Sequence, residues 1–277
     1  MDKREQRRSI AHETVHIVRE GKYTIDGAFV DISQDIEYSN ANSIFVSQRE
    51  ADRLEKSLAS STSTSNIELR NESTLAAIIR LKKRERNQIG VLNFASAKNP
   101  GGGFLNGAMA QEESLAAASG LYDTLLQRPA YYESNKACHS FCYTDCAIWS
   151  PDVVFFREDA GKLLCIPAKA SVLTLPAVNY GQVLLKGENA MQAKAAMKRR
   201  MKIALSIFAD KHCKTIILGA YGCGVFLNDP ADVATWWDEL LTEYSGHFDK
   251  VVFAVLDRTK TQDTISAFAG KWGVQDE

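Results

Sequence analysis

Residues 91–122 constrain the fold more than any other stretch, because an apolar strand leads there into three consecutive glycines and then into a helix that begins with two carboxylates. Val91, Leu92 and Phe94 form the short apolar run of a strand buried in a parallel sheet. Asn99-Pro100 predicts the end of that strand, because proline cannot donate to a strand ladder. A buried strand followed by a turn and a helix is typical of an α/β domain.

The glycines of this stretch, Gly101, Gly102 and Gly103, lack a Cβ atom. They can adopt positive φ and present backbone N–H groups to an anion at close range. Taken alone, they indicate a plain turn as readily as a ligand site. The residues after them have apolar side chains at helical spacing, which predicts one helix over residues 114–126.

Gln111, Glu112 and Glu113 lead into that helix. Acidic residues are favoured at helix N-termini by the helix dipole, so a purely structural role is one interpretation of the pair. Adjacent residues on a helix point about 100° apart, so the two carboxylates should not act together as a conventional acid–base pair. A helix N-terminus also lowers a carboxyl pKa, whereas a general acid needs a raised one.

A second glycine-rich loop follows a predicted strand over residues 215–218 and precedes a predicted helix over residues 231–244. Its sequence, GAYGCGVFLNDP, has three glycines that suit a backbone nest around a diphosphate. The loop lacks the lysine of a Walker motif. Cys223 has no recognisable histidine partner, so we interpret it as a small residue in a tight loop. Asn179 follows another predicted strand, over residues 171–177, at a position where α/β folds place ligand-facing residues.

The first 75 residues differ in character from the rest of the chain. They begin with a predicted amphipathic helix over residues 2–20 and short strands over residues 23–32. The polar segment 33–73 predicts a mobile loop that contains one short helix over residues 49–58. A helix from Ser73 or Thr74 to Asn87 then leads into the central strand. We therefore divide the chain into an N-terminal extension, residues 1–75, and a main α/β domain, residues 76–277, which together form one structural unit.

The composition favours a soluble globular protein. With 277 residues, of which 45% are hydrophobic, the chain can bury a large core, and its net charge of −1 argues against a dedicated nucleic-acid binder. No apolar run approaches the roughly 20 residues that span a bilayer. The six cysteines show no disulfide framework, which suits a reducing compartment. We expect a cytoplasmic protein with no membrane partner and no direct nucleic-acid partner.

Two groups of side chains could be taken for metal ligands. His12 and His16 lie four residues apart but outside an HExxH motif. The second group consists of Cys138, His139, Cys142 and Cys146. It lacks the two paired C-x₂₋₄-C motifs of a structural zinc site. Free cysteine is commonly a small buried hydrophobe. We therefore predict no metal and no cofactor.

Three motifs together resemble one known family. GGG followed seven residues later by QEE, the GAYGCGVF loop, and the segment IWSPDVVFFR at residues 148–157 are similar to the signatures of the bacterial-type poly(ADP-ribose) glycohydrolases, a catalytic branch of the macrodomains. The resemblance extends from about residue 8 to the C-terminal helix, and the N-terminal third matches only by pattern. Residues 116–118 are all alanine where the family pattern has an arginine, so we name Ala117 as the first position to examine if activity is weak.

The resemblance implies a macrodomain-like three-layer α/β/α fold with a mixed central sheet and an N-terminal helical extension. It implies hydrolysis of ribose–ribose O-glycosidic bonds in poly(ADP-ribose), with release of ADP-ribose and a part in the response to DNA damage. Glu113 would act as general acid/base, Glu112 would hold a hydroxyl of the neighbouring ribose, and Phe226 would pack on the terminal ribose. The full set of candidate substrate-binding residues is Ser96, Gly101, Gly102, Gly103, Gln111, Asn179, Gly222, Cys223, Gly224, Val225 and Phe226.

Such a reaction passes through an oxocarbenium-like transition state, and one carboxyl can first donate and then accept the proton. Three alternatives use similar loops. A macrodomain that only binds ADP-ribose would not need the intact QEE. A hydrolase of single protein-linked ADP-ribose would share nearly every residue, and a nucleotide-phosphate hydrolase would need acidic metal-binding clusters. The partners expected are poly(ADP-ribose) or ADP-ribosylated proteins, with ADP-ribose as the product.

Overall fold

The structure is a computed structural model that describes residues 2–61, 63–82 and 88–275. Within these residues a small hairpin and a seven-stranded sheet are present. The hairpin consists of β1 (Lys22–Ile25) and β2 (Ala28–Asp31). The large sheet consists of β3 (Ile44–Val46), β4 (Asn66–Arg70), β5 (Ile89–Ala95), β6 (Ala147–Arg157), β7 (Leu163–Pro176), β8 (Thr215–Leu218) and β9 (Lys250–Ala254).

The large sheet has the strand order β3-β6-β7-β5-β8-β9-β4, which places β5 at its centre. Strand β5 pairs in parallel with β7 and β8, whereas β6 is antiparallel to its neighbours β3 and β7. The predicted mixed sheet is therefore confirmed. The predicted strand over residues 215–218 coincides with β8.

Helices cover both faces of the large sheet. In chain order they are α1 (Lys3–Glu20), α2 (Ser33–Asn42), α3 (Gln48–Ser57), α4 (Thr74–Lys82), α5 (Gln111–Ala118), α6 (Leu121–Leu126), α7 (Pro129–Ala137), α8 (Tyr180–Leu185), α9 (Ala190–Asp210), α10 (Pro230–Tyr244) and α11 (Asp263–Trp272). Helices α3, α9, α10 and α11 pack on one face, and α4 to α7 pack on the other. Among the residues described, no helix is both long and apolar enough to cross a membrane.

The central strand explains the three layers. Leu92 belongs to the core on the α9 side, whereas Val91 belongs to the core on the α4 side, because successive strand residues point to opposite faces. Both side chains are fully buried. The continuous apolar run in the sequence thus reflects a strand covered on both sides, and the macrodomain-like α/β/α arrangement is confirmed.

The prediction of a mobile loop over residues 33–73 was wrong. This segment contains α2, β3, α3 and β4, and only the helix predicted near residues 49–58 was anticipated. Strand β3 pairs with β6 at one edge of the sheet, and β4 pairs with β9 at the other. These short strands are stabilised by partner strands about 100 and 180 residues away in the chain. Because pairing with those partners stabilises them, they form without a strong alternation of apolar and polar residues in their own sequence. The division at residue 75 stays a prediction.

The single helix predicted over residues 114–126 is two helices, α5 and α6. Ser119 lies between them in an extended conformation (φ −152°, ψ 177°) and forms a β-bridge with Phe155. The Gly120 N–H donates to the Val154 carbonyl over 3.0 Å. Pairing with β6 therefore interrupts a segment whose apolar spacing alone favours one helix. The predicted end of the preceding helix at Asn87 lies outside the described residues.

Candidate active site

The two glycine-rich loops lie at the same edge of the sheet. Strands β5 and β8 are parallel neighbours, so the loops that follow them leave from adjacent carboxyl ends, where α/β folds bind ligands. Between these loops lies an open cleft of about 1050 Å³. This volume is at the upper end of the range of small-molecule sites, roughly 300–1,000 Å³. The sequence-predicted residues that line it are Ser96, Gly102, Gly103, Gln111, Glu112, Glu113, Gly222, Cys223, Gly224, Val225 and Phe226.

The triple-glycine turn brings its backbone against the carboxylates of α5. Gly101 and Gly102 both have positive φ, 64° and 60°, a conformation that L-residues with a Cβ adopt only with strain. A Cβ atom on Gly102 would overlap Glu113 Oε1 and would lie 2.9 Å from Glu113 Cδ. Glycine is therefore required here both by conformation and by space. Gly101 does not line the cleft, and its N–H is directed to Glu112.

Glu113 lies half-buried on the wall of the cleft. Its Oε1 accepts a hydrogen bond of 2.9 Å from the Gly103 N–H. Among the described residues, Oε2 has no hydrogen-bond partner. One oxygen is thus fixed by the glycine turn, and the other can reach a ligand.

Glu112 has a different environment, although it is the next residue. Its side chain is only 3% exposed, and its Oε2 accepts a 2.7 Å hydrogen bond from the Ser96 N–H. Asn93 Nδ2 lies 3.4 Å from Oε1. Burial raises the pKa of Glu112 to about 8, and the neighbouring Glu113 carboxylate also raises this pKa. Burial therefore outweighs the hydrogen bonds from the Ser96 and Gly101 N–H groups and from the Asn93 side chain, which lower the pKa, and favours the protonated form of Glu112.

Gln111 and Ser96 line the cleft, but their side-chain polar atoms form hydrogen bonds to the protein backbone around it. The Gln111 side-chain oxygen Oε1 accepts a hydrogen bond of 2.8 Å from the Phe94 N–H, and its Nε2 donates one of 2.9 Å to the Leu92 backbone carbonyl. These bonds tie the start of α5 to β5. Ser96 Oγ accepts the Asn99 N–H over 3.1 Å, which shapes the turn before the glycines.

The second loop is held from behind by Asn228, a residue that the sequence analysis missed. Its buried Nδ2 donates to the Val178 carbonyl over 2.8 Å and to the Gly222 carbonyl over 3.0 Å. Gly222 has φ 75° and leaves no room for a Cβ, which would lie 2.6 Å from Asn228 Nδ2. The loop is therefore preorganised with its backbone facing the cleft. A signal was available, because Asn228 follows the GCGVFL motif directly.

Three other predicted or overlooked residues have clear positions. Burial raises the pKa of Cys223 to about 12, so the thiol stays protonated. Asn179 does not line the cleft, and its side chain instead caps α8 by accepting the Gln182 N–H over 3.2 Å. Asn93 was overlooked, although a polar residue inside the apolar run VLNF was a signal. It is fully buried, and its Nδ2 donates a hydrogen bond of 3.1 Å to Thr174 Oγ1.

Within residues 2–61, 63–82 and 88–275, no group of three or more His, Cys, Asp or Glu side chains has an arrangement that could hold a metal ion. In the cysteine-containing group at residues 138–146, which the sequence analysis rejected as a zinc site, Cys146 is a buried free thiol. Cys138 and Cys142 are half-buried free thiols. Besides Glu112, Glu113 and the glycine loops, the cleft is lined by the charged residues Asp159 and Arg258.

Comparison with known proteins places this arrangement in a family. Residues 11–158 match the family model described as microbial-type PARG, catalytic domain. The poly(ADP-ribose) glycohydrolase of Thermomonospora curvata is 37% identical, with a TM-score of 0.92, and the match covers 97% of this chain and 100% of that one. The same enzyme bound to the inhibitor ADP-HPD is matched at 36% identity over 97% and 100% of the two chains, with a TM-score of 0.90.

The poly(ADP-ribose) glycohydrolase of Deinococcus radiodurans in complex with ADP-ribose is 38% identical, with a TM-score of 0.81 and coverage of 90% of this chain and 98% of that one. A search of the curated proteins found no match. The family model covers more than half of the chain, and the solved structures cover almost all of it. The chain therefore belongs to the microbial-type poly(ADP-ribose) glycohydrolases, a family of enzymes.

Proposed function

We propose that this chain hydrolyses the ribose–ribose O-glycosidic bonds of poly(ADP-ribose) to release ADP-ribose, with Glu113 as the general acid/base. The observation that carries the proposal is the position of Glu113. Its carboxyl group lies on the wall of a cleft formed by both glycine loops, with one oxygen held by Gly103 N–H and the other open to a ligand. A fixed carboxyl with one open oxygen suits proton transfer to a bound glycosidic oxygen.

The proposed reaction uses one carboxyl twice. Glu113 donates its proton to the departing ribose oxygen as the bond from that oxygen to the anomeric carbon breaks. Water then attacks the anomeric carbon and gives its proton to the Glu113 carboxylate, which restores the acid. The net result is cleavage of one glycosidic bond with uptake of one water molecule.

Glu112 is proposed to hold ribose hydroxyls next to the reacting carbon. In its neutral form it can both donate and accept a hydrogen bond, which matches the two capacities of a hydroxyl group. Its low exposure and its bond from Ser96 N–H fix the carboxyl in one orientation. A rigid hydroxyl-binding group of this kind positions the sugar relative to Glu113.

The loop of residues 222–226 is proposed to bind the diphosphate, with Phe226 against the terminal ribose. Consecutive backbone N–H groups in a turn with positive φ form an anion-binding nest, and Asn228 fixes this turn. The related enzymes support the assignment, since one solved structure contains ADP-ribose and another contains ADP-HPD. ADP-ribose is accordingly the product ligand proposed for this chain.

Two alternatives remain distinct in their consequences. A macrodomain that only binds ADP-ribose would bind polymer without releasing product. In such a protein the open oxygen of Glu113 would have no catalytic role. A hydrolase of single protein-linked ADP-ribose would use the same cleft and would differ only in how the pocket treats the second ADP-ribose unit. Release of ADP-ribose from polymer separates the first alternative from the proposal, and the relative rate on the two substrates separates the second.

The test is release of free ADP-ribose from automodified poly(ADP-ribose), measured for the native protein and for Glu113→Gln. We expect release by the native protein to survive EDTA and to fall by more than about 10²-fold in the variant, which is the scale of a general acid/base. Glu20→Gln, an exposed position at the end of α1, is the matched control and should retain native activity. Equal rates for native and Glu113→Gln proteins would refute the assignment of Glu113.

A further inference from the structure

A small side pocket is lined by Glu113 but by none of the glycines of the two loops. It is enclosed by α1, α5 and the turn between β6 and β7, and it has a volume of about 80 Å³. Glu113 lines both this side pocket and the main cleft, as do Met109 and Ser114. The two cavities therefore have the Glu113 side chain in a common wall.

We propose that this side pocket binds the ribose of the next polymer unit, the leaving group of the reaction. The inference rests on the proposed function. A general acid must lie within about 3 Å of the glycosidic oxygen, and that oxygen belongs to both sugars. With the terminal ribose in the main cleft, the next ribose must lie beside Glu113, and the side pocket is the concave surface there.

The size of the side pocket matches one sugar. One water molecule takes roughly 15 Å³ on the same measure, so 80 Å³ corresponds to a few water-sized positions. That space suits a sugar ring and excludes a whole second nucleotide, whose diphosphate and base must then lie outside the pocket.

The walls of the side pocket carry groups that suit sugar hydroxyls and a phosphate. Arg157 lines it and is 2% exposed, and its guanidinium is held by Thr14 Oγ1, by the Gly161 carbonyl and by an ion pair of 2.8 Å from Nη2 to Glu13 Oε2. This fixed positive charge favours ligand oxygens at the wall of the pocket. Glu158 and Asp159 can accept hydrogen bonds from hydroxyls.

Arg7 adds an unused donor group. Its Nε donates to the Gly107 carbonyl over 2.8 Å, which fixes the side chain at the pocket. Its two terminal nitrogens have no partner among the described residues. In the polymer, the leaving ribose carries a diphosphate on its 5′ oxygen, and a fixed guanidinium is a strong phosphate donor. We assign Arg7 to that diphosphate.

Ala117 keeps the side pocket open. Its methyl group lines the pocket, while its carbonyl accepts the Thr14 hydroxyl hydrogen bond that joins α5 to α1. It does not line the main cleft. A larger side chain at residue 117 would fill the leaving-group space without touching the diphosphate loop.

The test compares Arg7→Ala and Ala117→Leu with the native protein in two measurements, KM for long poly(ADP-ribose) and Kd for free ADP-ribose by calorimetry. In the proposed function, free ADP-ribose fills the main cleft and leaves the side pocket empty. We expect both variants to raise KM for polymer by roughly tenfold or more and to leave Kd within about twofold of native, because Arg7→Ala removes a charge-assisted hydrogen bond and Ala117→Leu fills the side pocket.

Arg4→Ala is the matched control for loss of an α1-to-loop bond. Arg4 Nε donates to the Asn106 carbonyl over 3.0 Å, as Arg7 does to Gly107, but Arg4 does not line the side pocket. We expect native values for Arg4→Ala. Three results would each overturn the proposal. They are a native KM for polymer in both test variants, a Kd for ADP-ribose that rises as much as KM, and the same rise in KM in Arg4→Ala. If the native protein itself released no ADP-ribose, the proposed function would fail first, and this result is distinct from all three.

Discussion

At the scale of single residues, two adjacent glutamates differ because the helix directs them into different surroundings. Glu112 points into the protein against Ser96 and Asn93, whereas Glu113 points to the cleft wall against Gly103. Their roughly 100° separation on the helix produces this difference from identical side chains. We therefore expect one glutamate to bind as a neutral group and the other to exchange protons.

Glu112 should make the stability of the protein depend on pH. Its folded-state pKa of about 8 lies above the ordinary value of 4.5, so between these pH values the unfolded chain loses a proton that the folded chain keeps. The free energy of unfolding should therefore fall as pH rises through this window, by at most about 1.4 kcal/mol per pH unit. Glu112→Gln lacks this group, so its stability relative to native should increase from pH 5 to pH 8. Urea denaturation at both pH values measures this change, and a difference that is constant with pH would contradict it.

Gly102→Ala should damage both the turn and Glu113. The new Cβ would overlap the Glu113 carboxylate, and φ at residue 102 is 60°, so we expect a loss of about 1–3 kcal/mol in unfolding free energy and a large loss of ADP-ribose release. Gly270→Ala in α11 is the control, because a Cβ there meets no atom within 4 Å. Thermal unfolding and product release should separate the two variants. An active, stable Gly102→Ala protein would show that the turn relaxes without disturbing Glu113.

At the scale of elements, the loop of residues 222–226 depends on one amide outside it, the side chain of Asn228. Asn228→Ala should leave the carbonyls of Val178 and Gly222 without their buried donor, which costs about 1–3 kcal/mol. Because the loop then loses its fixed shape, ADP-ribose affinity should fall roughly tenfold. Calorimetry measures the affinity, and denaturation measures the stability.

Asn189→Ala is the matched control for that experiment. Asn189 caps α9 by accepting the Gln192 N–H, and its removal should cost about 1 kcal/mol of stability through the lost cap alone. ADP-ribose affinity should then stay native. If Asn189→Ala weakened binding as much as Asn228→Ala, loss of general stability would explain both results.

At the scale of the whole molecule, the N-terminal residues provide both edges of the large sheet. Strand β4 pairs with β9 along five residues, and Leu69 of β4 is fully buried. A chain that begins at residue 76 lacks β3 and β4 and should show no cooperative thermal transition by circular dichroism. A chain that begins at residue 33 retains all strands of the large sheet and should unfold cooperatively, at a lower temperature than native. Native-like melting of residues 76–277 would instead show that the first 75 residues are a separable extension.

Elements with strong local signals could be predicted from the sequence. Strand β8 matched its predicted bounds, and α10 began one residue before its predicted start, because an apolar run and a proline cap are local features. Strands β3 and β4 and the break at Ser119 could not be predicted. Each of them depends on pairing with residues far away in the chain, which local periodicity does not record.

The sequence by itself determined the chemical groups of the site and their order: a triple glycine, two adjacent glutamates and a second glycine-rich loop. Their spacing and conformational freedom are local properties, so the family and the α/β class followed from them. Only the tertiary structure decided that Glu112 is buried with a raised pKa, that Asn228 holds the second glycine-rich loop, and that Arg7 and Arg157 line a pocket beside Glu113. Burial and contact arise from packing between distant segments, and these determine how each group behaves.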